Sequence, residues 1–245
     1  MSQDGHSTHL PTGGDSRALR ISGWLTGVYF VIELVIGLWS GSVAVISDAF
    51  HTFSAVGGVM IALVAQRLSQ RPATAKETFG WARAEIIGAL FNGLFLTLMA
   101  AYVFYMGAMR LADPIELPTT VMYGVAAGGI VTELIAFRLL YQRQKTNLNI
   151  KGAFWHILQT FVGSIIIIIS AVVIQLTGFL AIDPLLGMVF GVVLLWASWT
   201  IIRSALRILL QGTPEHLDLR AAIAALGEIK GVEDVHHVHA WTITS

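Results

Sequence analysis

Long apolar runs dominate the chain and are separated by short polar breaks. Crossing a hydrocarbon core of about 30 Å takes roughly 20 helical residues, and six runs reach that length. The predicted spans are 17–40, 42–66, 84–111, 117–140, 152–177 and 181–205. The breaks between them carry glycine, proline or charged residues, as in ADPIELP at 112–118. The pattern therefore predicts an all-α bundle of six transmembrane helices.

The two ends of the chain lack this pattern. Residues 1–16 are polar and have neither the basic nor the apolar region of a signal peptide, so we expect a disordered tail. Residues 212–245 have an ordinary charge density, and Thr213 followed by Pro214 predicts a helix start there. The following VEDVHHVHAWTITS alternates enough to predict a strand. One helix and one or two strands cannot bury a core alone, so this segment needs either a larger domain or a partner chain.

Composition agrees with a membrane protein. The chain is 55% hydrophobic and 12% charged, with a mean hydropathy of +0.72, whereas soluble domains are about a quarter charged. Its formal net charge is zero, which argues against a nucleic-acid-binding protein. The sequence contains no cysteine, so a disulfide framework and a thiolate metal site are excluded.

Lysine and arginine are distributed unevenly between the two sets of predicted loops. If the N-terminus is cytoplasmic, Arg110 is the only basic residue on the opposite side. The basic residues then assigned to the cytoplasmic side, before the tail, are Arg17, Arg20, Arg67, Arg71, Lys76, Arg83, Arg138, Arg143, Lys145, Lys151, Arg203 and Arg207. The positive-inside rule therefore predicts that both termini lie in the cytoplasm.

Acidic residues and histidines away from the ends of the predicted spans are the candidate functional groups. They are Glu33, Asp48, His51, Glu133 and His156. A charged side chain at a helix centre costs roughly 2.5–3.5 kcal/mol on insertion scales, so such residues normally face the bundle interior or a wet cavity. One histidine alone would be explained as a packed residue bonded to a carbonyl group. Two histidines with an aspartate nearby instead favour an ion or proton path.

Spacing narrows this interpretation to a metal site. Asp48, His51 and position 55 share one helix face, and His156 and position 160 are one turn apart. Two residues four apart on each of two adjacent helices would supply four ligands, and imidazole with carboxylate suits Zn²⁺ and similar divalent ions. Position 55 is alanine and position 160 is threonine, however, which leaves two histidines as ligands.

Four segments of the chain resemble, in order, the cation diffusion facilitator family and particularly its zinc-transporter branch. SGSVAVISDAFHTFSA resembles the family's second helix, FGWARAEIIGALFNG the start of its third, and NLNIKGAFWHILQT its fifth. GTPEHLDL and GVEDVHHVHAWTITS resemble the opening of its cytoplasmic metallochaperone-like domain. The resemblance implies domains at 1–16 (cytoplasmic tail), 17–211 (six-helix transmembrane domain) and 212–245 (start of an α+β regulatory or dimerisation domain).

The resemblance also implies an activity. Relatives are homodimeric, proton-coupled exporters of Zn²⁺ or related divalent cations and use no organic cofactor. Their transport site is a His-Asp pair on the second helix and another on the fifth. Carried over by position, His51 and His156 match the histidines, while Ala55 and Thr160 stand where the aspartates are expected. The predicted location is a bacterial inner membrane.

Asp48, His236 and Glu133 match positions of the family, and Glu33 is assigned from its place inside a predicted span. Asp48 matches an acid that precedes the site histidine, and we include it among the candidate metal residues. His236 matches a histidine that binds metal in the cytoplasmic domain of some relatives, with its partners expected beyond Ser245. Glu133 stands where relatives commonly have asparagine, and it is assigned with Glu33 to a proton or auxiliary path.

Two functions remain open at this stage. The chain is either an active exporter with an altered site, or a transport-silent subunit or site-inactivated form that supports or mimics an active partner. An intramembrane enzyme fits poorly, because the sequence has no H-E-x-x-H, no cysteine and no serine in a recognisable nucleophile setting.

Overall fold

The structure, a computed structural model, describes residues 13–141, 148–214 and 216–243. Its helices are α1 (Gly13–Ser40), α2 (Val43–Ser69), α3 (Ala84–Ala112), α4 (Thr119–Leu140), α5 (Leu148–Thr177), α6 (Ile182–Leu209) and α7 (Leu219–Gly227). Helices α1 to α6 coincide with the six predicted apolar runs, and their ends differ from the predicted ones by a few residues. The apolar pattern was therefore sufficient to locate these helices.

Five helices of the described residues are long and apolar enough to cross a membrane. They are Arg20–Ser40, Ala84–Ala112, Thr119–Leu140, His156–Thr177 and Ile182–Leu209. The predicted second span falls on α2, several side chains of which lie outside the described set. The protein is thus a multi-pass membrane protein, and the count of six spans stays a prediction.

The chain forms two compact units. Unit 1 comprises Met1–Val56 and Met99–Val193, and unit 2 comprises Gly57–Leu98 and Leu194–Ser245. Helices α1, α4 and α5 belong to unit 1 as far as they are described. Helices α2, α3 and α6 are each divided, with one part in unit 1 and the other part in unit 2.

The core of unit 1 is built from small and medium apolar residues on α2, α4 and α5. Its buried members are Ala44, Val45, Met122, Val125, Ala126, Ile167 and Ala171. A second cluster joins α4 to α5 through Ala136, Leu140, Phe154 and Ile157. Alanine at these positions lets helix backbones approach closely, which is how membrane helices gain packing energy without a hydrophobic driving force.

The N-terminus of α2 is held by an aspartate from another helix. Asp183, at the start of α6, accepts hydrogen bonds from the Ser42 hydroxyl and from the Val43 backbone N–H, each at 2.6 Å. The Ser170 hydroxyl donates to the same carboxylate at 3.3 Å. A carboxylate at a helix N-terminus satisfies backbone donors that the helix itself leaves free. Asp183 thereby fixes where α2 begins.

Unit 2 packs the second half of α2 and the first half of α3 closely together. A Cβ atom on Gly88 would lie 3.1 Å from both Ala65 Cβ and Ile61 Cγ2. Near the end of α2, the Ser69 hydroxyl donates to the Glu85 carboxylate at 3.0 Å. Further along α3, the Thr97 hydroxyl donates to that of Ser198 on α6 at 3.1 Å.

The tail corrects two sequence predictions. Helix α7 is capped by Asp218, which accepts from the N–H groups of Arg220 and Ala221 at 3.0 and 3.1 Å, so the helix start predicted at Thr213 is wrong. The predicted strand is absent from the described tail residues, 212–214 and 216–243. His237 has a φ of 55°, a left-handed conformation that interrupts an extended strand. The α+β character of the tail is therefore not confirmed.

The predicted disordered tail lies mostly outside the described residues, which begin at residue 13. Helix α1 is described from Gly13 onward. The domain boundary at residue 16 stays a prediction.

Candidate cation site

Unit 1 brings the two predicted histidines together. The rings of His51 on α2 and His156 on α5 are stacked, with centroids 5.0 Å apart and planes 24° from parallel. Phe190 of α6 covers the same site, with its ring centroid 5.2 Å from that of His51. The Nε2 atoms of both histidines are buried and have no hydrogen-bond partner among the described residues. Two buried imidazole nitrogens without partners have the chemistry of metal ligands.

A glycine allows α5 to approach α2 beside this pair. His156, Thr160 and Gly163 follow one face of α5, at i, i+4 and i+7. A Cβ atom on residue 163 would overlap the Asp48 carboxyl group, one turn before His51 on α2. Only glycine leaves room for that carboxyl group, so this position determines how closely the two helices meet at the histidines.

Three buried carboxyl groups, which we call the acidic cluster, lie in the same unit. Its members are Glu33 of α1, Asp48 of α2 and Glu133 of α4, and they are close enough to interact electrostatically. Their side chains are 0%, 2% and 7% exposed. Within the described residues, both oxygens of Glu33, Oδ1 of Asp48 and Oε2 of Glu133 accept no hydrogen bond from a donor group, while the carboxyl groups of Glu33 and Asp48 contact each other. Such groups are costly to bury, and they attract a cation or a proton.

Neighbouring polar side chains position part of the acidic cluster. Glu133 Oε1 accepts a hydrogen bond from the Ser164 hydroxyl at 3.0 Å. The Tyr29 side chain interacts electrostatically with the cluster, and its hydroxyl donates to the carbonyl oxygen of Val125. A Cβ atom on Gly129 would come within 2.5 Å of Ser164 Oγ and 2.9 Å of Tyr29 Oη. Glycine at 129 therefore makes room for both hydroxyl groups.

The two positions without the expected aspartates differ in what the structure describes. The Ala55 side chain lies outside the described set. Thr160 is buried beside the Glu133 carboxyl group, and its hydroxyl donates to the Ile157 carbonyl oxygen at 2.9 Å. Across residues 13–141, 148–214 and 216–243, no group of three or more acidic or histidine side chains is arranged to hold a metal ion. The histidines are paired, but the ligand set around them is incomplete.

His236, the remaining predicted metal residue, lies in unit 2. Its side chain is exposed, and its Nδ1 is 2.8 Å from Nδ1 of His237. These neighbours in sequence contact each other, and the described residues add no third ligand.

Sequence reasoning missed the residues that organise the site. Gly163 and Ser164 form a small pair two turns after His156, which is a usable signal for close helix packing near a functional histidine. Asp183 lies at the start of the predicted span 181–205, and nothing local in the sequence indicates that it caps a helix 140 residues earlier.

The sequence of residues 19–210 matches the family of the cation efflux transmembrane domain. The chain belongs to the cation diffusion facilitator family. The predicted family is thus confirmed, and with it the assignment to divalent-cation efflux across a membrane. Members of this family are transporters, so the prediction that the chain is not an enzyme is also confirmed.

Named relatives agree with the zinc-transporter branch. The chain is 36% identical over 241 residues to the metal cation efflux system protein CzcD of Cupriavidus metallidurans, covering 98% of this facilitator and 76% of the relative. It is 32% identical over 243 residues to the cadmium, cobalt and zinc/H(+)-K(+) antiporter of Bacillus velezensis, covering 98% and 78%. It is 31% identical over 239 residues to the zinc transporter ZitB of Escherichia coli, covering 97% and 76%.

Proposed function

We propose that this facilitator exports Zn²⁺ or a related divalent cation from the cytoplasm, and that His51 and His156 bind the ion in unit 1. The observation that carries the proposal is the stacked pair of buried imidazoles, whose Nε2 atoms have no partner within the described chain. A buried polar atom left unpaired costs about 1–3 kcal/mol. A packing role would leave that cost without compensation at both histidines, whereas a bound cation would offset it.

The acidic cluster supports the electrostatic side of this proposal. A dication in a low-dielectric cavity needs negative charge nearby, and Glu33, Asp48 and Glu133 bring carboxyl groups into the same unit. We assign Glu33 and Glu133 to a path for protons or for the cation beside the histidines. The relative from Bacillus velezensis is named a cadmium, cobalt and zinc/H(+)-K(+) antiporter, which supports exchange of the cation for protons.

The remaining features of the proposal follow the family and the charge pattern. Both termini are placed in the cytoplasm, on the side rich in arginine and lysine. A bacterial inner membrane and a homodimer are proposed from the resemblance to the exporters of this family.

A second function, a transport-silent chain, is favoured by one specific observation. The buried Thr160 hydroxyl donates a hydrogen bond to the Ile157 carbonyl oxygen of its own helix. It brings no negative charge to a position where relatives have aspartate. Such a chain would support or mimic an active partner rather than move ions itself.

Ion flux separates the two functions. We expect purified protein in liposomes with an acidic lumen to take up Zn²⁺, with a matching loss of luminal protons, as read by indicators for both ions. His51→Ala should abolish uptake, while His216→Ala, which removes an exposed histidine of unit 2, should leave it unchanged. Uptake by His51→Ala at the normal rate would refute the role of the histidine pair.

The transport-silent function makes the opposite prediction. The unaltered chain would take up no Zn²⁺, and the double variant Ala55→Asp/Thr160→Asp would gain uptake. That pair of results would replace the first proposal by the second.

A further inference from the structure

We infer that Glu133 of α4 supplies the carboxylate that residue 160 of α5 lacks, so that His51, His156 and Glu133 together bind the transported cation. The assignment rests on the proposed function, because it adds a ligand to the same cation. It moves one negative charge of the site from the fifth helix to the fourth.

The first support is the place of the Glu133 side chain. Its carboxyl group lies beside Thr160 and accepts from Ser164 at 3.0 Å. Both neighbours are on α5, on the stretch that begins with His156. An aspartate at residue 160 would present its carboxylate in this same region, one helical turn from His156. Glutamate has one more methylene group than aspartate, which suits a ligand that reaches across from a neighbouring helix.

The second support is that the two oxygens of Glu133 differ in their hydrogen bonds. Oε1 is held by the Ser164 hydroxyl, whereas Oε2 is buried without a hydrogen-bond partner in the described residues. Metal-binding carboxylates are themselves commonly oriented by an outer hydrogen bond. Ser164 plays that part here, and Oε2 is left for a cation. The Thr160 hydroxyl, which donates to Ile157, lies beside the same carboxyl group.

The third support is that α4 and α5 form a fixed pair. Ala136 and Leu140 of α4 pack against Phe154 and Ile157 of α5, at the level of the turns next to Glu133 and His156. Such packing keeps the carboxylate in register with the histidine. The pairing makes Glu133 a ligand from a rigid scaffold rather than from a loop.

The charge and the number of ligands also suit a bound dication. Two neutral imidazoles and a threonine bring no charge to a dication, and Glu133 brings one negative charge. Asp48, which interacts electrostatically with Glu133, lies next to the site and is a second source of negative charge. Two histidines and a glutamate form a known zinc ligand set that leaves a fourth position open, which suits an ion that must be released. The described side chains do not form a three-ligand group, so we expect Oε2 to move toward the imidazoles when the cation binds.

Zn²⁺ binding to the full chain in detergent tests this assignment by titration calorimetry. Glu133→Gln keeps the size of the side chain and should weaken Zn²⁺ binding by at least roughly 10- to 100-fold, the loss caused even by removing an outer partner of a metal ligand. Glu116→Gln, which changes an exposed carboxyl group before α4, should bind as the unaltered chain does.

A relocation variant makes the test specific. Glu133→Gln/Thr160→Asp returns the carboxylate to α5 and should recover most of the affinity lost in Glu133→Gln. The Co²⁺ absorption spectrum should change in intensity between the unaltered chain and Glu133→Gln, which reports the ligand set independently of affinity. A symmetric size-exclusion peak and an unchanged thermal midpoint establish that each variant is folded.

The outcomes distinguish this assignment from the proposed function. If His51→Ala loses Zn²⁺ binding while Glu133→Gln retains it, the role of Glu133 is refuted and the function stands. If Thr160→Asp fails to recover binding in folded protein, the replacement of residue 160 by Glu133 is refuted. If the unaltered chain binds no Zn²⁺, both proposals fail.

Discussion

Two sets of carboxyl groups are buried in unit 1, and they differ in how their oxygens are used. Asp183 is 1% exposed, and hydroxyl and backbone donors from α2 and α5 reach both of its oxygens. Glu33 is 0% exposed, and neither of its oxygens accepts a hydrogen bond from a donor group in the residues that the structure describes. Its carboxyl group instead contacts that of Asp48. Burial alone therefore does not separate these two kinds of acid, but the hydrogen-bond donors around them do. Asp183 holds two helices together, while Glu33 is the acid that we propose for a proton or an ion.

The largest effect on stability is expected at Asp183. Asp183→Ala leaves the Ser42 hydroxyl and the Val43 N–H buried without their acceptor. We expect the free energy of unfolding to fall by roughly 2–6 kcal/mol, because two buried donors are left unpaired and each costs about 1–3 kcal/mol. Denaturant titration in detergent measures this, with Asp113→Ala, an exposed acid after α3, as the control. Equal stability of the two variants would contradict the structural role of Asp183.

An intermediate effect on stability is expected at Gly163, where α5 packs against α2 beside the histidines. Gly163→Ala places a methyl group on the Asp48 carboxyl group, and overpacking of this kind typically costs about 1–3 kcal/mol. Zn²⁺ affinity should fall as well, because the added methyl group should push α5, and His156 with it, away from His51. Gly124→Ala is the matched control, since a Cβ atom there meets nothing within 4 Å. A Gly163→Ala protein with unaltered stability and affinity would show that the close approach is not required.

The smallest effect on stability is expected at Glu33. Glu33→Gln should change the free energy of unfolding by less than about 1 kcal/mol, because no donor group in the described residues loses its acceptor and the amide can still contact Asp48. The luminal proton loss that accompanies Zn²⁺ uptake should nevertheless decrease, with Glu116→Gln as the control. A loss of stability like that of Asp183→Ala, with normal proton flux, would place Glu33 among the structural acids.

The transmembrane helices were predictable from sequence because their signal is local. Each apolar run is bounded by glycine, proline or charge, and helices α1 to α6 lie where those runs predict them. The tail was less predictable for a physical reason. Thr213 and Asp218 both have side chains suited to an N-cap, and only the backbone path decides that Asp218 accepts from Arg220 and Ala221. Alternation in residues 232–245 likewise cannot supply the neighbouring strand that a ladder needs.

By itself, the sequence determined the family and the approximate extent of the helices, and it predicted the candidate functional residues, among them Glu33, His51, Glu133 and His156. Only the tertiary structure decided how these residues combine: that the two imidazoles stack, that Glu133 lies beside Thr160, and that Asp183 caps a distant helix. The reason is that the sequence does not determine how each membrane helix is rotated about its own axis. Lipid-facing and inward-facing sides of a membrane helix are both apolar, so hydrophobic periodicity locates each helix along the chain without determining which face meets which neighbour.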